Sequence, residues 1–323
     1  DDLYSFKGIP IGCGPYRVKS FDMDKSSVIL ERTKDGSGPK KVEIYSAGKA
    51  WENQVDIAMG SGISGMKDHA GTEYTRVQGK LPYATEIIDF NYSTPEGQSA
   101  DFRRAIAFAI NKENQVKGYA GEIPTDQIIT ALSYGHQKPK SIYNLLEARK
   151  IVSSLPSSLK KLTINIMYHG VSTEPHPPYI IEILKDLEAI GFKANAIAST
   201  KMKLDENDKN VSMIIHGRVI DSDPLMAFAY YLPEGGFPFQ NPKNDVKFRS
   251  LFNSASTAES IESKARIIKE ISGYFQINNI QVPISERYPT YYIKNTIMDI
   301  GLDKNAFDIN IENISISQDS SKK

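Results

Sequence analysis

Residues 162–197 read LTINIMYHGVSTEPHPPYIIEILKDLEAIGFKANAI, and this stretch decides the fold class. LTINIMY (162–168) reads as a strand. PPYIIEILKDLEAIG follows as a helix, with proline at its entrance and Gly191 at its exit. FKANAI (192–197) is the next strand. A crossover of this length favours parallel pairing of the two strands. The unit is β-α-β, and the chain is read as α/β.

Outward from that unit the pattern is mixed. The first ninety residues read as strands and turns: YRVKSF (16–21), SVILER (27–32) and the alternating KVEIY (41–45), with KDGSGPKK (34–41) as a loop. From about residue 99 the pattern turns helical. Phe102, Ala105, Ile106, Ala109 and Ile110 make one apolar stripe, with Ser99 or Asp101 as cap. A second helix is expected over 142–154. After the β-α-β unit come a short strand at 211–216 and a helix from about 225. The last long helix is expected to start at a capping box, Ser256 with Glu259, and to bury Ile261, Ala265, Ile268 and Phe275. Strands at 281–285 and 291–294 close the chain before a polar tail.

Composition narrows the function classes. The chain has 323 residues, enough for two or more domains, with 40% apolar and 24% charged residues. Lys+Arg and Asp+Glu both number 39, so there is no basic footprint for nucleic acid. No apolar run approaches the ~20 residues that cross a bilayer. The single cysteine, Cys13, can make neither an internal disulfide nor a cysteine metal cluster, and reads as a buried, inert thiol.

The stretch VDIAMGSGISGM (55–66) carries the spacing of a dinucleotide-binding turn at Gly60, Gly62 and Gly65. Such a turn needs a helix directly after it, aimed at the pyrophosphate. KDHAGTEYTRVQGK follows instead, broken by Gly71 and Gly79 and lacking an apolar stripe. Glu86 has roughly the spacing of a ribose-binding acid, but no helix leads to it. The glycines therefore read as a loop, and no cofactor is expected. The histidines, His69, His136, His169, His176 and His216, match no standard metal spacing, so no metal site is expected. No HExxH, GxSxG or GxxxxGK[ST] occurs. The most chemically loaded run is HGRVIDSDP (216–224), a polar loop at the carboxyl end of an apolar strand, where α/β proteins place ligands. Arg218 could hold a carboxylate and Asp221 an amine or cation. Asp221 could equally cap the next helix; Asp223, ahead of Pro224, reads as a cap.

PIGCGPYRVKSF (10–21) resembles the P-x-G-[TN]-G-P-Y segment of bacterial extracellular solute-binding proteins of family 5, the peptide- and nickel-type receptors of ABC importers. Further segments are similar in the family's order: ENQVDIA (52–58), DFN (89–91), RAIAFAINK (104–112), LEAIGFKA (187–194), DSDP (221–224) and PISERY (283–288). Together they span about residues 8–305. The resemblance implies a type II periplasmic-binding-protein-like fold of two lobes, each of mixed sheet and helix. One lobe would use residues 1–91 and 288–323 and the other 92–287, with passages near Asn91 and Tyr288. The family's usual ~150 preceding residues, which hold a small lobe II, are expected to be absent.

The resemblance implies a binding protein, not an enzyme. It would take a peptide or similar small solute in an inter-lobe cleft and present it to a membrane ABC permease. A periplasmic or extracellular location follows, with an optional lipid anchor, and a monomer is expected. Residues expected at the ligand are Asn91, Tyr92, His216, Gly217, Arg218 and Asp221. Relatives similar to oligopeptide receptors have a Trp and an Asp in the ligand strand; here Gly217 and Ile220 occupy those places, with Asp221 one residue away. A ligand-sensing regulatory domain of the same fold is the alternative function.

Overall fold

A computed structural model describes residues 14–22, 27–36, 38–45, 55–59, 73–117, 119, 121–137, 142–170, 176–201, 203–219, 223–237, 239–240, 245–302 and 309–317. The chain divides into two units, Asp1–Leu81 with Pro289–Lys323, and Pro82–Tyr288.

The first unit is built of short antiparallel sheets. Strands β1 (Tyr16–Asp22), β2 (Ser27–Arg32) and β3 (Lys41–Tyr45) form one in sequence order. In a second, β12 (Thr290–Lys294) lies between β4 (Ile57–Met59) and β5 (Tyr74–Gln78). Strands β13 (Ile297–Leu302) and β14 (Ile309–Ile316) form a two-stranded ribbon. Alternation places Tyr291 and Ile293 on one face, where they pack with Ile297 and Ile300.

The second unit holds a six-stranded sheet in the order β7-β11-β6-β10-β8-β9. The strands are β6 (Ala84–Phe90), β7 (Glu122–Pro124), β8 (Thr163–His169), β9 (Lys193–Ser199), β10 (Met213–Val219) and β11 (Gln281–Arg287). β8 pairs in parallel with both β9 and β10, whereas β6 runs antiparallel to β10 and β11. The carboxyl ends of β8, β9, β10 and β11 therefore share one edge with the amino end of β6. Every residue of β6 is buried, as expected of a strand with neighbours on both sides and packing on both faces.

The helices of this unit are α1 (Pro95–Gln98), α2 (Ala100–Ala109), α3 (Lys112–Val116), α4 (Leu145–Ser154), α5 (Ser157–Lys160), α6 (Pro178–Ala189), α7 (Met226–Ala229), α8 (Val246–Ser256) and α9 (Ile261–Ile277). Ser99 caps α2 by accepting from the Phe102 amide at 3.2 Å, and the expected stripe from Phe102 to Ile110 is fully buried. Phe102 meets Phe90 and Phe192 edge to face, which joins α2 to the sheet. α6 makes the expected crossover between parallel β8 and β9, burying Ile180, Ile183 and Leu187.

Several local expectations need correction. The helix expected from 225 is a single turn, α7. Ser256 ends α8 rather than capping a helix; the cap is Ser260, which accepts from the Ser263 amide at 3.1 Å. α8 precedes the expected last helix and ends where that helix was expected to start, and Ile261, at the first turn of α9, is exposed. The sequence reading placed the first inter-unit passage near Asn91. In the structure β6 belongs to the second unit, because both its hydrogen-bonding edges are taken by β10 and β11. Cys13, His69 and the glycine run from Gly60 to Gly71 lie outside the described residues.

Candidate functional site

The shared edge of the six-stranded sheet brings charge into an apolar framework. Cross-strand partners lie on the same face, so the register Gly217–Glu86–Ser285 puts these residues in one row. Arg287, two residues after Ser285, returns to that face, and so does its β7 partner Glu122. Arg287 Nη2 lies 2.6 Å from Glu86 Oε2, and Arg287 Nε lies 3.4 Å from Glu122 Oε1. The Ser285 hydroxyl donates to the other Glu122 oxygen at 2.8 Å. Both carboxylates are buried, while the guanidinium side chain keeps 24% of its surface exposed.

Gly217 shapes this cluster. A Cβ there would lie 3.4 Å from Arg287 Nη1 and 3.5 Å from Glu86 Oε2, so the ion pair covers the place a side chain would take. Burial pushes the Glu122 carboxyl above its ordinary range; Arg287 and Ser285 oppose the shift and Glu86 adds to it. Burial also works against the charge on Arg287, but Glu86 and Glu122 outweigh it and hold the guanidinium protonated. Tyr119 and Tyr179 meet edge to face with centroids 5.6 Å apart. Burial raises Tyr119 to about 12, and both rings sit close enough to Glu86 and Arg287 to feel their charges.

The opposite face of the same strands carries a buried polar network. Asp89 is fully buried and contacts His216 Nε2 at 2.8 Å. It also accepts from the Tyr231 hydroxyl at 2.7 Å and from Gln240 Nε2 at 2.8 Å. Arg218 donates to the Ala227 carbonyl at 2.6 Å, and its guanidinium sits 4.7–5.1 Å from the ring centres of Tyr230, Tyr231 and Phe237. These contacts fasten the segment around α7 to the sheet. Burial pushes the Asp89 carboxyl up, but His216, Arg218 and Tyr231 prevail and hold it below its ordinary range.

The expected site residues thus separate. His216 and Arg218 lie together in the buried network, and Gly217 lies under the ion pair on the other face. Asn91 and Tyr92 follow the far end of β6, roughly 20 Å away along the strand. The Asn91 amide donates to the carbonyls of Asp208 and Val211 at 3.1 and 2.8 Å. The Tyr92 hydroxyl donates to the Ile280 carbonyl, under the Arg103 guanidinium. Asp221 lies outside the described residues. Asp223 does not cap α7, whose N-cap position is Leu225 with no side-chain cap; it closes a local turn by accepting from the Leu225 amide at 3.0 Å, and it also binds Lys264 and Tyr134. Sequence reasoning missed Glu122 and Arg287 and set Glu86 aside. The usable signal was a charged residue inside an otherwise apolar strand, which burial tolerates only with a partner.

The first unit carries a groove of about 930 Å³ bordered by Gly38, Pro39, Asp299, Asn310 and Asn313. Among the described residues Asp299 is its one charged lining residue, which offers less for orienting a polar solute than the sheet edge does. Among the described residues, no group of three or more His, Cys, Asp or Glu could hold a metal ion, and no helix is long and apolar enough to cross a membrane.

Comparison with known proteins bears on this geometry. The family model described as "Bacterial extracellular solute-binding proteins, family 5 Middle" matches residues 1–237. A comparison with curated proteins returns no match. Among solved structures, the ABC transporter substrate-binding protein CtaP from Listeria monocytogenes superposes with a TM-score of 0.77 at 16% identity, covering 96% of this chain and 67% of that one. NikA from Staphylococcus aureus, in complex with Ni(L-His)2, gives 0.75 at 11% identity, covering 96% and 70%. DppA from Helicobacter pylori, in complex with the peptide STSA, gives 0.72 at 14% identity, covering 96% and 64%. The chain therefore spans about two thirds of the length of these relatives, and at such identities the likeness shows the fold.

Proposed function

We propose, for a chain that belongs to the bacterial extracellular solute-binding proteins of family 5, that the carboxyl edge of its six-stranded sheet captures a peptide or similar small solute for an ABC permease. The fold is the mixed α/β fold of type II periplasmic binding proteins, and the family is one of extracytoplasmic binding proteins rather than enzymes. The observation that carries the proposal is the Glu86–Arg287–Glu122 cluster. It sets three charges at the sheet edge where open α/β sheets bind ligands, beside a glycine whose missing side chain gives the ion pair its room.

Two of the solved neighbours hold a peptide and a nickel–histidine complex, and a polar solute of that size suits an edge lined by charge. His216 and Arg218 support the site from behind: their network with Asp89 fixes β10 and β6, and so the spacing of Gly217 and Glu86. The test is a thermal-shift titration of the full chain with pools of di- to pentapeptides. A saturable rise in melting temperature is the expected result. No shift with any pool at millimolar concentration would contradict it.

A further inference from the structure

We propose that a small internal cavity between α9 and the six-stranded sheet is a binding site for one ordered water molecule, held by Gln127 and Ser272. The inference stands apart from the solute site.

The first argument is unmet hydrogen bonding. Gln127 is 3% exposed and Ser272 is 4% exposed. Among the described residues, neither Gln127 Oε1 nor Ser272 Oγ has a hydrogen-bond partner. The Ser272 hydroxyl does not bond back to its own helix, the usual outlet for a serine in that position. The two residues come from separate segments, the chain after β7 and α9, yet both line the same cavity. Buried polar atoms are paired with protein or with ordered water.

The second is size. The cavity measures about 10 Å³, the room of a single water and too little for an organic ligand. Cavities that stay dry are apolar, whereas Asp126, Gln127, Ser272 and Gln281 line this one beside Phe275 and Pro283. A buried water makes about three hydrogen bonds. Gln127 Oε1 accepts one and the Ser272 hydroxyl shares a second. The Gln281 oxygen takes the Tyr231 hydroxyl, so its amide nitrogen is the group that can donate a third.

The third is charge. A sodium or potassium ion would also suit a carbonyl and a hydroxyl oxygen. Among the described lining residues the one carboxylate, Asp126, is ion-paired with Lys112, which also donates to the Thr125 carbonyl at 3.0 Å. A second cation would find no uncompensated negative charge there, so the neutral ligand fits.

Through Gln281 the water joins the Asp89 network. The Tyr231 hydroxyl lies between Gln281 and Asp89, so the chain of contacts runs from Ser272 on α9 to Asp89 on β6. The water ties the segment after β7 to α9 and β11.

The test has two arms, both on the full chain. A high-resolution crystal structure should show a water about 2.7–3.2 Å from both Gln127 Oε1 and Ser272 Oγ. A dry cavity, or the two side chains bonded to each other or to other protein groups, overturns the inference. So does a metal ion that rubidium replaces on soaking. In solution, melting curves compare Gln127→Met, Ser272→Ala and the double variant. Each single variant takes one partner from the water and should melt about 2–4 °C lower, the shift of one net hydrogen bond in a domain of this size. The double variant should lose clearly less than the sum, because two groups without a direct bond are coupled through the water they share. Strictly additive losses, or single variants as stable as wild type, overturn the inference.

Discussion

Gly217 on β10 lies directly across from Glu86 on β6, and a Cβ on that glycine would stand 3.5 Å from the Glu86 carboxylate. That distance is ordinary contact, so Gly217→Ala should bind solute within about twofold of the wild type. Gly217→Trp must push Arg287 and Glu86 apart. It should weaken binding more than tenfold in calorimetry while costing only about 1–3 kcal/mol of stability, the usual range for overpacking.

The Asp89 network should govern stability. Removing one partner of a buried ion pair typically costs about 3–5 kcal/mol. Asp89→Ala is therefore expected to lower the melting temperature of the full chain by roughly 10 °C, given about 2–4 °C per kcal/mol for a domain of this size. Arg218→Met, which keeps the stacking bulk among Tyr230, Tyr231 and Phe237, should cost less than Arg218→Ala. Calorimetric melting curves of the three variants check the order.

The two buried acids should respond to pH in opposite senses. Asp89 is held below its ordinary value of 3.8, so its contribution is present above that value and is lost as pH falls through its lower folded value. The acid side of the stability profile should steepen below about pH 4, and Asp89→Asn should flatten it. Glu122 is raised above its ordinary value of 4.5 by burial, so its ionisation costs stability as pH climbs through the window above 4.5. Glu122→Gln should melt higher than wild type at pH 7.5 and match it below pH 4. Arg287, Glu86 and Tyr119 lie close enough to Glu122 to feel its charge.

The break between α8 and α9 offers a check on helix capping. Ser260→Ala removes the acceptor for the Ser263 amide and should cost about 1 kcal/mol. Ser256→Ala loses only a hydroxyl contact to the Asn253 carbonyl and should stay within about 0.5 kcal/mol. Paired denaturant unfolding curves would separate the two.

Sequence reading went further with the fold than with the site, and the reasons are physical. β8, α6 and β9 were legible because proline, glycine and hydrophobic spacing act within a few residues. The family segments extended that local reading along the chain. The α8–α9 boundary was not legible, since Ser256 and Ser260 both sit in polar surroundings and only tertiary packing selects the cap. The site was harder still. Glu86, Glu122 and Arg287 are far apart in sequence and meet only through the β6–β11–β7 register, which a one-residue slip would have reversed. His216 and Arg218 looked equally ligand-like in the linear sequence. Strand alternation turns both away from Gly217 and onto Asp89.

The most direct test of the sheet-edge site is to map a bound solute by amide chemical-shift perturbation in the labelled full chain, using trialanine as ligand. The expected result is a contiguous set of shifts at residues 83–86, 119–122, 217–219 and 285–288. Shifts confined to the groove of the first unit, around Asp299, Asn310 and Asn313, would contradict the account.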